Sequence, residues 1–231
     1  MSHQHRNEGQ RGTLVGEERT VEVMAGSVRL EATLGLPSPA RGLVVFAHGS
    51  GSSRHSPRNR YVANELRAAG LGTLLIDLLT PNEESVDVRT RELRFDIGLL
   101  ADRIVGTLDW AASERDTSTL RVGLFGASTG GGAALVAAAV APDRVAAVVS
   151  RGGRPDLAAE ALPAVLAPTL LIVGQRDQVV IELNEQAMAQ MHAAVKLEIV
   201  PGATHLFEEP GALEQVASLA RDWFVGHLDH A

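Results

Sequence analysis

The chain has 231 residues, of which 45% are apolar but only 3% aromatic; it contains no cysteine and carries a formal charge of −7. That length suits one α/β domain and leaves no room for a second large one. The negative charge argues against nucleic acid or an anionic membrane surface as partner, because little here would neutralise phosphates. The lack of cysteine excludes disulfides, thiolate metal sites and a cysteine nucleophile, and a fold that needs no disulfide fits the cytoplasm.

The first 17 residues are polar and aperiodic, without the apolar core of a signal peptide. They read as a flexible tail, with His3 and His5 as ordinary tail residues, and 18–231 is expected to form a single domain. No apolar run reaches the ~18 residues of a membrane span. Two short Val- and Thr-rich stretches, 19–25 and 27–34, are separated by Ala25-Gly26 and predict a hairpin or meander. Residues 42–47 (GLVVFA) form a continuous apolar run, the pattern of a strand covered on both faces. It ends in His48-Gly49-Ser50-Gly51. Ser56-Pro57 then supplies an N-cap and a first-turn proline for a helix that ends before Gly70. A second buried strand is predicted over 73–79.

A charged segment, 82–94, connects to a long amphipathic helix that ends near 113. The strand 120–125, the turn 126–130 and an Ala-rich helix to 141 follow. Two more buried strands are predicted at 145–150 and 169–173, a helix at 179–191, and a last strand at 196–200. The final helix, 212–227, carries Leu213, Val216, Leu219, Ala220, Trp223 and Phe224 at helical spacing. Strand and helix therefore alternate from residue 42 onward. The expected fold is a mainly parallel sheet of about eight strands with helices on both faces.

The turn Gly126-Ala127-Ser128-Thr129-Gly130 has the form G-x-S-x-G and lies between a buried strand and a helix. A serine hydroxyl becomes a useful nucleophile only when a base reaches it and it projects clear of its surroundings. A sharp strand-to-helix turn provides that projection, and flanking glycines let strand and helix approach without side-chain clash. The base must be a histidine, and the histidine needs a carboxylate to fix its tautomer. On such a turn the acid and then the histidine follow the serine in the chain, and parallel strands bring their loops to one edge of the sheet. The loop after TLLIV contains Asp177 and the loop after KLEIV contains His205. Asp143 precedes a strand and faces the opposite edge. Asp156 follows a strand end and competes for the acid position, although it also suits a helix cap. His192, His227 and His230 lie at or beyond helix ends, and His55 precedes the serine. Two peptide N–H groups are needed for the oxyanion: that of Thr129, next to the nucleophile, and that of Ser50, in the loop after GLVVFA. His48 is expected to hold that loop by hydrogen bonds rather than to act as a base.

From Leu43 onward the segments FAHGSGSS, LLIDLLTPNEE, FGASTGGGAAL, SRGGRPDLA, LLIVGQRD and PGATHLFEEPG resemble the α/β-hydrolase superfamily, and within it the dienelactone-hydrolase-like group. The resemblance implies the α/β-hydrolase fold, Ser128, Asp177 and His205 as a catalytic triad, and Ser50 and Thr129 as oxyanion donors. Domains of this sort also occur fused to phosphoribosyltransferases; no such partner is expected in this chain. Dienelactone hydrolases carry cysteine at the nucleophile position, where this sequence has Ser128, which shifts the expectation toward an ordinary carboxylic ester. Only residues 151–168 separate two strands where a cap would stand, too few for a lid domain. The reaction expected is cleavage of a small-molecule ester through an acyl-enzyme. Thioesters and lactones are alternatives, and a catalytically silent ligand-binding scaffold is a reading of another class. No histidine–carboxylate cluster has metal-ligand spacing, so no metal or organic cofactor is expected, and no oligomeric state is implied. Arg151, at the end of the strand 145–150, is a candidate for binding an acidic group on the substrate. Otherwise it would pair with Asp156, Glu83 or Glu84 and brace the loops.

Overall fold

The computed structural model describes residues 18–229, so the expected tail at 1–17 and His230 lie outside the described residues. Eight strands form one sheet in the order β1-β2-β4-β3-β5-β6-β7-β8. β1 (Glu18–Ala25) and β2 (Val28–Gly35) are the antiparallel hairpin expected from the sequence, turned at Gly26. β2 pairs antiparallel with β4 (Gly72–Ile76). β3 (Leu43–Ala47), β4, β5 (Val122–Ala127), β6 (Ala147–Arg151), β7 (Thr169–Gly174) and β8 (Val195–Val200) run parallel.

Side chains alternate across this sheet and build two cores. Leu43, Val45 and Ala47 of β3 face one layer, where α3 (Ile97–Ser113), α4 (Thr129–Val140) and α5 (Gln178–Met188) pack. Val44 and Phe46 of the same strand face the other layer, made by α1 (Pro57–Ala68) and α6 (Ala212–Leu228). This two-sided burial explains why the central strands read as unbroken apolar runs instead of alternating ones. Two aromatic rings, Phe46 and Phe125, meet across β3 and β5 with centroids 4.8 Å apart.

Several boundaries differ from those read in the sequence. The strand expected over 73–79 stops at Ile76, and Leu78 and Leu79 continue as a bend whose side chains remain buried. The charged stretch 82–94 is not merely a connector. Most of it is a helix, α2 (Pro81–Thr90), which begins with a capping box: Thr80 Oγ accepts from the Glu83 N–H, and the Glu83 carboxylate accepts from the Thr80 N–H. A succession of 3₁₀ turns over Pro155–Ala164 fills the interval between β6 and β7. No lid domain stands there among the described residues.

Candidate active site

The chain leaves β3 toward β4 on one side and reaches β5 on the other, so the carboxyl ends of β3 and β5 face a topological switch point, where open α/β sheets hold their ligands. Ser128 stands at the end of β5 and the His48–Ser50 loop at the end of β3. The turn between β5 and α4 is tight enough to need glycine. A Cβ on Gly126 would lie 2.5 Å from Gly130 O, and one on Gly130 would collide with Ala47 O. Ser128 has φ 51° and ψ −121°, a left-handed conformation that costs about 1–3 kcal/mol for a residue with a side chain. Its neighbours hold it there. The Ser128 N–H donates to Arg151 O at 3.1 Å, and Ser128 O accepts from the N–H groups of Gly131 (2.9 Å) and Arg154 (3.1 Å).

His205 sits in the loop after β8. Its Nδ1 lies 2.6 Å from Asp177 Oδ2 and its Nε2 3.3 Å from Ser128 Oγ. With the proton on Nδ1 the ring donates to Asp177 and leaves Nε2 free to accept from the serine hydroxyl. Asp177 is the residue before α5, yet its side chain makes no cap hydrogen bond, which leaves it free for His205. Phe207, buried and at φ 56°, pins the far side of the His205 loop in the α1/α6 layer. The Thr204 N–H donates to Glu209 Oε2 at 3.1 Å, and this donor holds the Glu209 carboxyl below its ordinary pKa.

Asp156, the competing acid, is occupied elsewhere: Arg154 Nε and Nη2 donate to it at 2.8 and 2.7 Å. His48 is buried. Its Nε2 accepts from the Leu78 N–H (3.1 Å), and its Nδ1 faces Gly49 O (2.9 Å). Burial lowers its pKa, so the ring is neutral and fastens the loop after β3 to the bend after β4. A Cβ on Gly49 would lie 3.3 Å from Ser128 Cβ, which places the Ser50 peptide beside the nucleophile turn. Thr129 is the first residue of α4, where a backbone N–H has no acceptor within the helix. Sequence reasoning missed Phe207, and it missed Arg94, whose Nη1 would lie 3.1 Å from a Cβ on Gly51 in the turn after β3.

For Arg151 the structure corrects the pairing considered from the sequence. Asp156 is taken by Arg154 and Glu83 by Arg103. Arg151 itself is buried on the α1 side of the sheet, and its one side-chain partner among the described residues is Asn59 Oδ1, 3.4 Å from Nη2. A cavity of about 500 Å³ is lined by residues such as Leu108, Thr117, Pro142 and Leu166 at the opposite end of the strands. It has no part in this arrangement. Among the described residues no helix is long and apolar enough to cross a membrane, and no group of three or more side chains could hold a metal ion.

Residues 30–224 match the model of the dienelactone hydrolase family. The crystal structure of a dienelactone hydrolase from Anabaena variabilis is 63% identical, covers 92% of this chain and 98% of its own, and superposes with a TM-score of 0.91. Est1E from Butyrivibrio proteoclasticus, at 17% identity over 90% of this chain and 98% of its own, shares the fold with a TM-score of 0.75. A Mycobacterium tuberculosis protein of strain H37Rv, provisionally named a phosphoribosyl transferase, is 61% identical over 211 residues. That match takes in 91% of this chain but 47% of the relative, so the chain spans about half of that protein's length.

Proposed function

The chain belongs to the dienelactone hydrolase family, and we propose that it is a hydrolase that cleaves small carboxylic esters through an acyl-enzyme formed on Ser128. The observation that carries this reading is the hydrogen-bonded line Asp177–His205–Ser128, ending on a serine held in left-handed backbone geometry. In the proposed reaction His205 Nε2 takes the proton as Ser128 Oγ attacks the ester carbonyl, and the carbonyl oxygen becomes an oxyanion facing the N–H groups of Ser50 and Thr129. The protonated ring, steadied by Asp177, returns its proton to the leaving alcohol. Water activated by the same nitrogen then releases the acid and restores Ser128.

A lactone is the second reading, favoured by the name of the 63% identical structure; the same steps would open the ring and leave the alcohol attached to the acid. The test is labelling with a fluorophosphonate followed by peptide mapping, together with turnover of p-nitrophenyl acetate. The expected mark is on Ser128, with loss of both label and turnover, by several orders of magnitude in kcat, in Ser128→Ala. A label on Ser50 or Ser52, or full turnover in Ser128→Ala, would overturn the assignment.

A further inference from the structure

Arginines enter the interior of this protein with a carboxylate beside them. Arg54 pairs with Glu31 and Asp77, Arg67 with Glu18, Arg94 with Asp87 and Arg103 with Glu83. Arg151 departs from that pattern. It is 8% exposed, no carboxylate oxygen among the described residues lies within 4.0 Å of it, and both Nε and Nη1 are buried without a hydrogen-bond partner. Burial, with the neighbouring charge of Arg58 adding to it, pushes its pKa down to about 10, so the side chain remains a cation at neutral pH. An unpaired buried charge is strongly destabilising. Such a cost fits a position whose counter-charge arrives from outside the chain.

The surroundings are suited to an anion. Asn59, which holds Nη2 of Arg151, and Arg58 both lie in the first turn of α1, a twelve-residue helix whose N-terminal end carries partial positive charge. Arg58 has a buried Nε without a partner. Its Nη1 donates to Glu208 Oε1 at 3.1 Å, in a pair that is 34% exposed on the arginine and 62% on the glutamate. Glu208 is thus committed to Arg58 and forms no ion pair with Arg151. The backbone that carries Arg151 abuts the candidate reacting groups. The Arg151 carbonyl accepts from the Ser128 N–H, and a Cβ on the next residue, Gly152, would lie 3.4 Å from His205 Cε1.

We infer that Arg151, Asn59 and Arg58 form an oxyanion-binding subsite at the start of α1, beside the candidate triad. Its ligand is a carboxylate or phosphate group, borne by the ester substrate or supplied as a free anion. The guanidinium of Arg151 has donors free for such a group, and Arg58 and the helix terminus add positive charge nearby. As a subsite for substrate, it rests on the reading of Ser128 as nucleophile; as an anion site, it stands without it.

The test uses wild type, Arg151→Met, Arg151→Lys and, in case the first variant fails to fold, Asn59→Ala. One arm measures melting temperature in inorganic phosphate and in acetate. The other compares kcat/KM for p-nitrophenyl butyrate and p-nitrophenyl hemisuccinate. A substrate-borne anion predicts that the hemisuccinate-to-butyrate ratio falls roughly 30-fold or more in Arg151→Met and less in Arg151→Lys. A free anion predicts an unchanged ratio, together with a phosphate- or acetate-dependent rise in melting temperature that Arg151→Met and Asn59→Ala lose. The inference is overturned if neither anion shifts the wild type and the ester ratio is the same in every variant. Failure of wild type to take the fluorophosphonate label would sink the serine reading alone, since the melting arm still reports on the subsite.

Discussion

Asp177 shows how one side chain becomes available to a distant partner by being left unused locally. A carboxylate just before a helix ordinarily accepts from the first free N–H groups, but Asp177 makes no such bond and lies 2.6 Å from His205 Nδ1 instead. Asp156, at the start of the 3₁₀ segment between β6 and β7, is neutralised by a bidentate contact from Arg154. The two aspartates therefore predict opposite outcomes. Asp177→Asn should lower kcat by about 10⁴-fold, because the amide no longer secures the tautomer that leaves Nε2 free. Asp156→Asn should change kcat by less than about tenfold, since its partner is outside the reacting groups. Steady-state kinetics on p-nitrophenyl acetate separates them, and the reverse order would move the acid to the other loop.

At the scale of an element, α2 and the segment after it are organised by one buried carboxylate. Asp87 is 1% exposed; its Oδ1 accepts from the Arg94 N–H at 3.0 Å and its Oδ2 from Arg94 Nε at 2.6 Å. Arg94 Nη2 also donates to Asp87 O at 3.1 Å, closing the link between α2 and the start of α3. Burial alone would raise the Asp87 pKa, but the Arg94 hydrogen bonds and charge outweigh it and hold the carboxyl below its ordinary 3.8. A pKa depressed by folding contributes stability above the unfolded value and loses it as pH falls through the folded value. Asp87→Asn is thus expected to lose on the order of 3 kcal/mol at pH 7, by leaving Arg94 without its counter-charge. It should also lose less further stability than wild type as the solution is taken from about pH 4 downward. Urea unfolding at the two pH values measures both. An equal acid sensitivity in the two proteins would assign the pH effect to other carboxylates.

For the molecule as a whole, stability rests on two cores pressed against one sheet, and the α1/α6 layer depends on close approach to β5. Phe224 of α6 is fully buried, and Gly123 of β5 admits its ring: a Cβ at that glycine would lie 2.6 Å from Phe224 Cε1. Truncating Phe224 to alanine opens a cavity that a glycine on the opposing strand cannot fill. The expected loss is about 3–5 kcal/mol, read as a lower urea midpoint with an unchanged slope. A loss below about 1 kcal/mol would mean that this layer collapses around the gap.

What could be read without coordinates was whatever the chain expresses locally. Continuous apolar runs marked the strands covered on both faces, Ser56-Pro57 and Gly70 bounded α1, and the strand–GASTG–helix order marked the turn that lifts Ser128 from the sheet. Asp177 and His205 could be nominated because parallel strands send successive loops to one edge. Other features depended on contacts between distant segments. The helix α2 was legible in principle from Thr80 and Glu83, but its lack of apolar periodicity hid it, since its one buried residue is the charged Asp87. Phe207 could not be seen to adopt φ 56°, because only its burial between layers makes that backbone tolerable. The partner of Arg151 was undecidable for the same reason. Asp156, Glu83 and Glu84 are all chemically fit to pair with it, and only the tertiary fold, by giving Asp156 to Arg154 and Glu83 to Arg103, leaves that guanidinium buried against Asn59 with two nitrogens unclaimed. Residue chemistry is carried by sequence, but competition among partners is settled by distance, and distance belongs to the folded chain.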